Sequence, residues 1–368
     1  MAATDSLPAV ELKGIVKRFG QVTAVERMDL RVKDGHLMTL LGPSGCGKTT
    51  ILRMIAGLET PSEGKIYIKG KLVNDTPIHK RNLGMIFQNY ALFPHKTIFD
   101  NVAFGLKYRN VPKGEMKDKV GRALEMVRLP GVEKRMPAQL SGGQQQRIAL
   151  ARAIVIEPDV LLMDEPLSAL DENLREEMRR EIDNLQMKLN LTTVFVTHDQ
   201  REALSMSNQI VVMKAGRKQQ EGTPEEVYNR PVNHFVADFL GHSNFYPARV
   251  IGKEGDLIRV KMPDGNEVLV NHPGDWRDGQ EVEIVIRAQK FNILGTGEIK
   301  KDGAVNLFRG RIKERSYMGG EVSYFVELDG TDTELHAISM MRTRVFNVDE
   351  KIMIQVQPEF CRLLSKEN

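Results

Sequence analysis

The sequence has little of what disulfide-bonded, membrane-spanning and nucleic-acid-binding proteins require. Its two cysteines, Cys46 and Cys361, make no disulfide framework, and no cysteine or histidine cluster has zinc-site spacing. No apolar run approaches the ~18–20 residues of a membrane span. Residues 1–8 lack a basic region followed by an apolar one, which argues against secretion. A net charge of +3 without a clustered Lys/Arg run argues against nucleic acid as a partner.

What is present is the composition of a soluble globular protein, with 41% hydrophobic and 27% charged residues. The length of 368 residues predicts two or three domains. Up to residue 240 strand-like and helix-like segments alternate, with apolar strands at residues 160–163, 193–196 and 210–213. This alternation predicts an α/β layer structure with a largely parallel sheet. Residues 100–139, rich in Lys, Glu, Met and Leu, predict helices inserted between core elements.

The chain changes character near residues 241–244. From residue 245 short alternating strands are separated by Gly and Asp-Gly turns, which predicts a small β-barrel or sandwich. Within this part, residues 282–289 line up with residues 352–359, and each copy continues into a short exit and an apolar tail. The repeat predicts two related half-barrels.

The clearest motif, G-x-x-x-x-G-K-[ST], lies between an apolar strand at residues 36–41 and a helical segment at residues 50–56. Its glycines allow backbone N–H groups to approach phosphates, and the following helix adds a positive dipole end. Lys48 supplies a charge to the outer phosphates, and the Thr49 hydroxyl is a candidate Mg²⁺ ligand. The candidate phosphate contacts are Gly42, Pro43, Ser44, Gly45, Cys46, Gly47, Lys48, Thr49 and Thr50.

Polar side chains follow three further apolar runs. Asp164 fits a Mg²⁺ contact, direct or through water, and Glu165 fits a general base for an attacking water. His198 is a candidate to hold the γ-phosphate and keep the water in line. The Gln88 amide fits Mg²⁺ or water, although read alone it is equally well explained as an ordinary glutamine.

A second glycine-rich turn, at residues 140–147, reads Leu-Ser-Gly-Gly-Gln-Gln-Gln-Arg. Ser141 is a good N-cap, and Gly142 and Gly143 leave the N–H groups of a helix start exposed. These residues form a candidate anion site, but an ordinary capped helix explains them as well.

Taken together, the motifs resemble those of the nucleotide-binding subunit of an ABC transporter. They match the family's Walker A loop, Q-loop glutamine, signature, Walker B strand with its glutamate, D-loop and switch histidine, in that order, within residues 12–240. The matching positions are residues 42–49, Gln88, residues 140–144, residues 160–165, residues 168–171 and His198. Phe19 falls where the family places an aromatic that stacks on adenine, and phenylalanine keeps the stacking face without the hydroxyl.

The resemblance implies an α/β P-loop NTPase with a RecA-like core, an antiparallel β subdomain and a helical subdomain inserted at about residues 89–155. ATP and Mg²⁺ are the implied cofactors, with Thr49, Gln88 and Asp164 as metal ligands. Two copies are expected to sandwich two ATP molecules head to tail, so that Ser141 and Gly143 of one chain face the γ-phosphate held by Lys48 of the other. The further residues expected to contact nucleotide, besides the phosphate loop and Phe19, are Ser141, Gly142, Gly143, Gln144 and Asp171.

The same resemblance implies partners outside the ATPase. The homodimer is expected to drive two integral membrane permease subunits through a coupling helix near the Q-loop. A periplasmic solute-binding protein is an indirect partner. The chain is therefore expected to lie peripherally on the cytoplasmic face of the bacterial inner membrane.

Residues 245–368 resemble the all-β OB-type regulatory domain of importer ATPases related to the maltose ATPase. The family's Arg-Pro-Glu turn reads Arg287-Ala288-Gln289 in the first repeat copy, whereas the second retains Pro358-Glu359, and this departure bears on the regulatory contact of the first barrel.

The solute is indicated only by lineage. Residues 88–95 look more like the polyamine and ferric-ion importers than the sugar importers, which favour Tyr at the position of Phe93. We therefore expect import of polyamine or a related small solute, with ferric-ion, sugar and phosphonate importers as alternatives.

Two other classes of function fit the sequence less well. A soluble GTPase needs an Asn-Lys-x-Asp motif, which is absent, and a small-molecule kinase has no need of Leu-Ser-Gly-Gly-Gln. Non-transport ABC proteins typically carry coiled-coil arms or two cassettes in one chain. One cassette followed by a β-rich tail favours the importer.

Overall fold

A computed structural model describes residues 7–298, 305–340 and 344–365 of the chain. Residues 1–6, which belong to the N-terminal segment that argues against secretion, lie outside these ranges. Residues 366–368, at the end of the predicted second domain, also lie outside them. The chain divides into two compact units, Met1–Val227 and Tyr228–Asn368. None of the helices in the described ranges combines the length and the apolar character of a bilayer-crossing segment.

The first unit alternates strands and helices, as the sequence predicts. Its strands are β1 (Val10–Phe19), β2 (Val22–Val32), β3 (Leu37–Leu41), β4 (Glu63–Ile68), β5 (Lys71–Leu72), β6 (Leu83–Ile86), β7 (Val160–Asp164), β8 (Thr193–Thr197), β9 (Gln209–Lys214) and β10 (Arg217–Gly222). Its helices are α1 (Lys48–Ala56), α2 (Ile98–Val102), α3 (Phe104–Tyr108), α4 (Lys113–Met126), α5 (Gly142–Ile154), α6 (Glu172–Leu189) and α7 (Gln200–Met206). The division between the units falls within the next helix, α8 (Pro224–Asn229).

The central sheet of this unit has the strand order β10-β9-β3-β8-β7-β6. All neighbouring pairs are parallel except β9 with β10. Every residue of β3, β7 and β8 is buried, which explains why these strands read as continuous apolar runs. Because parallel strands end at the same edge, the loops after β3, β8, β7 and β6 meet there side by side.

Two smaller layers complete the first unit. An antiparallel sheet has the order β2-β1-β4-β5. Helices α2 to α5 are inserted between β6 and β7, within the range predicted for a helical subdomain, and share buried apolar residues such as Val102, Leu124 and Ile148.

The second unit is almost entirely β. It contains the short helix α9 (His234–Phe239) and strands β11 (Ser243–Glu254), β12 (Leu257–Lys261), β13 (Glu267–Val270), β14 (Glu281–Arg287), β15 (Asn292–Gly295), β16 (Asn306–Tyr317), β17 (Glu321–Leu328), β18 (Glu334–Met340), β19 (Lys351–Val356) and β20 (Cys361–Ser365). The strands form two five-stranded antiparallel sheets, β13-β12-β11-β14-β20 and β15-β19-β16-β17-β18.

The internal repeat seen in the sequence corresponds to equivalent structure. β14 and β19 each run into a 3-10 turn, Ala288–Lys290 and Pro358–Phe360, and then into a short strand. The short strand of each copy pairs with the other copy, β15 with β19 and β20 with β14. Each half therefore needs the other to complete its sheet.

The compact units divide earlier in the chain than the boundary of residues 240–245 expected from composition. Ala237 of α9 lies in an apolar cluster with Val285 and Leu364 of the second unit. The Arg287 guanidinium also donates hydrogen bonds to the carbonyl groups of Tyr228 and Gly241. These contacts join distant parts of the sequence, so the change in composition does not reveal them.

The carboxyl end of α1, the helix that follows the phosphate loop, is held by a buried arginine. Arg81 donates from Nη1 to the carbonyls of Met54 and Ile55, both at 2.9 Å, and from Nε to Thr76 O at 2.8 Å. Burial lowers the pKa of Arg81. The guanidinium satisfies carbonyls that a helix end leaves without partners.

We predict that Arg81→Met destabilises the first unit by about 3 kcal/mol, because buried carbonyls lose their donors. The measurement is calorimetry of the transition that ATP shifts upward. Lys80→Met, one residue earlier and exposed, is the matched control. An unchanged melting temperature for Arg81→Met would contradict this role.

Candidate functional site

The loop between β3 and α1 requires glycine at Gly47 for its backbone conformation and for space, and at Gly42 for space alone. Gly47 has φ +101°, and a Cβ there would lie 2.5 Å from Ala24 O. A Cβ on Gly42 would lie 2.3 Å from Met213 O. Residues 43–45 are exposed at the rim of the loop, whereas Cys46 is buried, at 3% exposure. The loop is thus packed tightly on its inner side and open on its outer side.

Lys48 is the first residue of α1, and its side chain is buried without a carboxylate partner in the described residues. Its Nζ donates hydrogen bonds to Gly42 O at 2.7 Å and Pro43 O at 2.9 Å. The ammonium group is therefore held by carbonyls of its own loop. A phosphate entering the loop offers it stronger, charged acceptors.

Thr49 and Asp164 meet across the gap between α1 and β7. The Thr49 hydroxyl donates to Asp164 Oδ1 at 2.8 Å. Burial raises the pKa of Asp164, and the charge on Glu165 raises it further, while the Thr49 hydrogen bond, Arg53 and Lys48 act in the opposite direction. A hydroxyl and a carboxylate side by side are the hard oxygen ligands that suit Mg²⁺, which keeps its remaining positions for waters and phosphates.

Glu165 and His198 form a second pair at the same sheet edge. The strand β7 ends at Asp164, and Glu165 takes φ +43°, so it leaves the strand in a turn rather than by simple strand alternation. Its Oε2 lies 3.1 Å from His198 Nδ1, which follows β8. A non-glycine residue in this backbone region is strained, and such residues concentrate at functional sites.

Ser168 links this pair to Gln88. Its hydroxyl donates to Glu165 O at 2.9 Å, and Gln88 Nε2 donates to the same hydroxyl at 3.4 Å. The structure therefore brings five predicted residues to one edge, in contacts that involve Thr49, Gln88, Asp164, Glu165 and His198.

The second glycine turn opens α5 with a capping box. Ser141 Oγ accepts from Gln144 N, and Gln144 Oε1 accepts from Ser141 N. The N–H groups of Gly142 and Gly143 make no hydrogen bond in the described part of the chain, as expected at a helix start. Gly142 faces open space, whereas a Cβ on Gly143 would lie 2.9 Å from Leu174. Both N–H groups are thus left without a partner among the described residues of their own chain, Gly142 at an exposed position and Gly143 at a buried one.

The three glutamines after this turn, alike in the sequence, have different surroundings. Gln144 closes the capping box, and Gln145 donates to Pro137 O and Leu140 O. Gln146 is 1% exposed, and its amide atoms have no hydrogen-bond partner among the described residues.

Asp171 and Phe19 lie on other elements. Asp171 caps α6 by accepting from Leu174 N at 3.0 Å. Phe19 ends β1 and is 47% exposed, and Lys17 Nζ lies 4.5 Å from the centroid of its ring. The structure shows no contact between either residue and the edge that carries Thr49 and Asp164, within the described ranges.

Sequence reasoning missed Arg152, which connects α5 to the segment after Gln88. Its guanidinium donates to the carbonyls of Tyr90 and Ala91, both at 2.7 Å. These two residues have φ +58° and +46°, so two consecutive non-glycine residues are held in a strained conformation. The signal available in the sequence was the position of Arg152, a single charged residue within the apolar second half of α5.

Asn101, which is fully buried, was also missed. Its amide donates to the carbonyls of Phe93, Lys96 and Thr97, and its Oδ1 accepts from Phe93 N. It shapes the loop that leads from the Gln88 segment into α2.

Family models match two parts of the chain, and curated relatives match most of its length. The ABC transporter family model matches residues 25–168, and the TOBE domain model matches residues 284–364. A spermidine/putrescine import ATP-binding protein of Rubrobacter xylanophilus is 42% identical over 359 residues, covering 97% of this chain and 93% of its own length. An Fe(3+) ions import ATP-binding protein of Rhizobium etli is 46% identical over 320 residues, covering 87% and 88%.

Solved structures resemble the first unit. The dimeric structure of MJ0796, a bacterial ABC transporter cassette, is 31% identical with a TM-score of 0.53, covering 58% of this chain and 98% of that one. The cbiO1 protein of Clostridium perfringens, part of an ABC transporter complex, is 28% identical with a TM-score of 0.56, covering 60% and 90%. The chain therefore belongs to the ABC transporter family, as an ATPase subunit with a C-terminal TOBE domain.

Proposed function

We propose that this chain binds and hydrolyses ATP in a head-to-tail homodimer that energises solute import through a membrane permease. The observation that supports this most is the convergence of the phosphate loop, Asp164, Glu165, His198 and Gln88 at one edge of the parallel sheet. The similarity to importer ATP-binding proteins supports the direction of transport.

In this proposal the phosphate loop holds the nucleotide. Backbone N–H groups of residues 42–50 surround the phosphates, and Lys48 exchanges its carbonyl partners for phosphate oxygens. Phe19 stacks on adenine. Thr49, Asp164 and Gln88 would hold Mg²⁺, which when bound neutralises charge on the β- and γ-phosphates.

Hydrolysis is assigned to Glu165 and His198. The Glu165 carboxylate accepts a proton from water as the water oxygen attacks the γ-phosphorus, and ADP leaves with the electron pair of the broken bond. His198 lies 3.1 Å from Glu165, where it can orient the carboxylate and donate to the γ-phosphate. Ser168 anchors the backbone of Glu165.

The signature turn acts on the partner's nucleotide. The free N–H groups of Gly142 and Gly143 and the Ser141 hydroxyl point to an anion that their own chain does not supply. The γ-phosphate bound by the other copy supplies it, with Gln144 and Asp171 nearby. ATP binding therefore closes the dimer, and hydrolysis opens it.

Coupling to the permease is assigned to the helical insert. A cleft of about 1030 Å³ in this insert has apolar residues Phe99 and Met116 and several lysines in its lining. We propose that this cleft binds a helix of the permease, whose apolar face would pack on Phe99 and Met116 and whose acidic residues would pair with the lysines. Because Arg152 ties α5 to the Gln88 segment, movement of the insert reaches the nucleotide site through that contact.

The proposed solute is a polyamine, with ferric ion as the second candidate, because relatives with both names match most of the chain. Two permease subunits and, indirectly, a periplasmic binding protein are the proposed partners, and nucleic acid is not. The proposed location is the cytoplasmic face of the bacterial inner membrane. Purification of the chain with its permease tests this proposal, and ATPase stimulation by the binding protein loaded with spermidine or with ferric ion decides the solute.

We predict that Glu165→Gln lowers ATP turnover by about a hundredfold or more, because it removes the base while keeping the shape. ATP binding is retained, and an ATP-bound dimer accumulates, measured by light scattering after size exclusion. Glu125→Gln, an exposed change on α4, is the control. Unchanged turnover would remove Glu165 from the role of base.

We predict that Gly142→Asp abolishes hydrolysis while ATP affinity of the isolated chain changes by less than about twofold. The added carboxylate repels the partner's γ-phosphate, yet it suits a helix N-terminus and leaves the fold intact. Gly142 is chosen because a side chain at Gly143 would clash with Leu174.

Gly114→Asp is the matched control for this variant, since Gly114 also lies in the first turn of a helix and faces open space. Nucleotide binding is measured by fluorescence with a labelled ATP analogue at low protein concentration. Loss of ATP binding by monomeric Gly142→Asp would show that the signature acts on its own chain's nucleotide.

We predict that alkylation of Cys46 blocks ATP binding, because any adduct enters the phosphate loop. Burial raises the pKa of the Cys46 thiol, so alkylation is slow at neutral pH, accelerates as pH rises and is prevented by ATP. Cys361 stays unmodified in the folded chain, since burial raises its pKa to about 12. Mass spectrometry with the Cys46→Ser control measures both thiols, and full ATPase activity after complete Cys46 modification would refute the prediction.

A further inference from the structure

The second unit contains a cavity of about 350 Å³ that the proposed function does not use. It lies where the exits of the two repeat copies meet. Lys290 ends the 3-10 turn of the first copy, and Phe360 holds the equivalent position in the second. Lys290 Nζ lies 4.4 Å from the centroid of the Phe360 ring.

The lining of this cavity is strongly unbalanced in charge. Arg287, Lys290 and Arg362 contribute three positive charges, against one negative charge from Glu359. None of the three cations has a carboxylate within ion-pair distance in the described part of the chain. Burial lowers the pKa of Arg362 and the nearby charge of Arg230 lowers it further, while Cys361 and Glu359 act in the opposite direction.

Arg287 forms a fixed wall of the cavity. It is 5% exposed, and its Nη1 donates to Ser243 Oγ at 2.8 Å while its Nη2 donates to Tyr228 O at 2.9 Å. Its guanidinium lies 4.4 Å from the centroid of the Tyr228 ring. With these donors already used, Arg287 contributes mainly its charge.

Lys290 and Arg362 are the groups with donors to spare. Arg362 is held by hydrogen bonds from Nε to Asn229 O and from Nη1 to Asn271 O. Its Nη2 and the Lys290 ammonium have no acceptor among the described residues. Two cationic donors therefore face a cavity whose position is fixed by other contacts.

We propose that this cavity binds a compact anionic metabolite, whose phosphate or carboxylate groups accept hydrogen bonds from Lys290 and Arg362. The volume is at the lower end of the range for small-molecule sites, about 300–1,000 Å³, so one compact ligand fits. Glu359 suits a hydroxyl group of the same ligand. The excess of positive charge opposes cations, so the polyamine or ferric ion proposed as solute is not the ligand here.

The experiment is calorimetric titration of the full chain saturated with ADP, so that the phosphate loop is already filled. Pyrophosphate and citrate are the probes for the phosphate and carboxylate classes, and spermidine is the cationic probe. We expect one site per chain for at least one anion, and no site for spermidine that depends on Glu359.

Three variants test the location. Lys290→Gln weakens anion binding by about fivefold or more, and Glu359→Gln strengthens it by about threefold, because each removes one charge next to the anion. Lys253→Gln removes an exposed positive charge on β11 outside the cavity and changes binding by less than about twofold.

Binding of citrate alone or of pyrophosphate alone supports the proposal and identifies the class. The proposal is overturned if neither anion binds at millimolar concentration. It is also overturned if Lys290→Gln binds as the original chain does, or if Lys253→Gln weakens binding as much as Lys290→Gln.

Discussion

The candidate catalytic geometry depends on the order of four parallel strands. β3, β8, β7 and β6 are neighbours in the sheet and run in the same direction. The residues that follow them therefore lie at the same edge of the sheet, whatever the conformation of the rest of each loop. The contact between Thr49 and Asp164, at 2.8 Å, joins the phosphate loop to the strand that carries the acidic pair. The full burial of β3, β7 and β8 is consistent with their places in the interior of the sheet, since neither face of these strands meets solvent.

The signature turn shows a different principle. Its capping box satisfies the end of α5 locally, yet leaves the N–H groups of Gly142 and Gly143 without acceptors. A second copy of the chain is the proposed source of the missing anion. The contact from Arg152 to Tyr90 and Ala91 then places the same helix in mechanical connection with the Gln88 segment. In the proposed function, this one helix therefore contacts the partner's nucleotide at its start and connects to the Gln88 segment through Arg152.

Much of the fold could be predicted from sequence because the informative features are local. The predicted strand at residues 160–163 is β7, and the predicted helix start at Ser141 is the N-cap of α5. The α/β cassette followed by an OB-type domain is confirmed by the family matches. Features that depend on distant contacts were not visible, such as the packing of Gly143 on Leu174 and the attachment of α9 to the second unit. The roles of the site residues stay predictions.

The central claim is that each nucleotide site is completed by the other copy, and mixing two disabled chains tests it most directly. Both chains carry Glu165→Gln to prevent hydrolysis; one also carries Lys48→Ala and the other Gly142→Asp. Neither chain alone can form a complete site, but a mixed dimer contains one site with an intact phosphate loop and an intact signature. Size exclusion with light scattering should show ATP-dependent dimers only in the mixture. A mixture that stays monomeric with ATP, while a chain with Glu165→Gln alone forms dimers, would contradict the account.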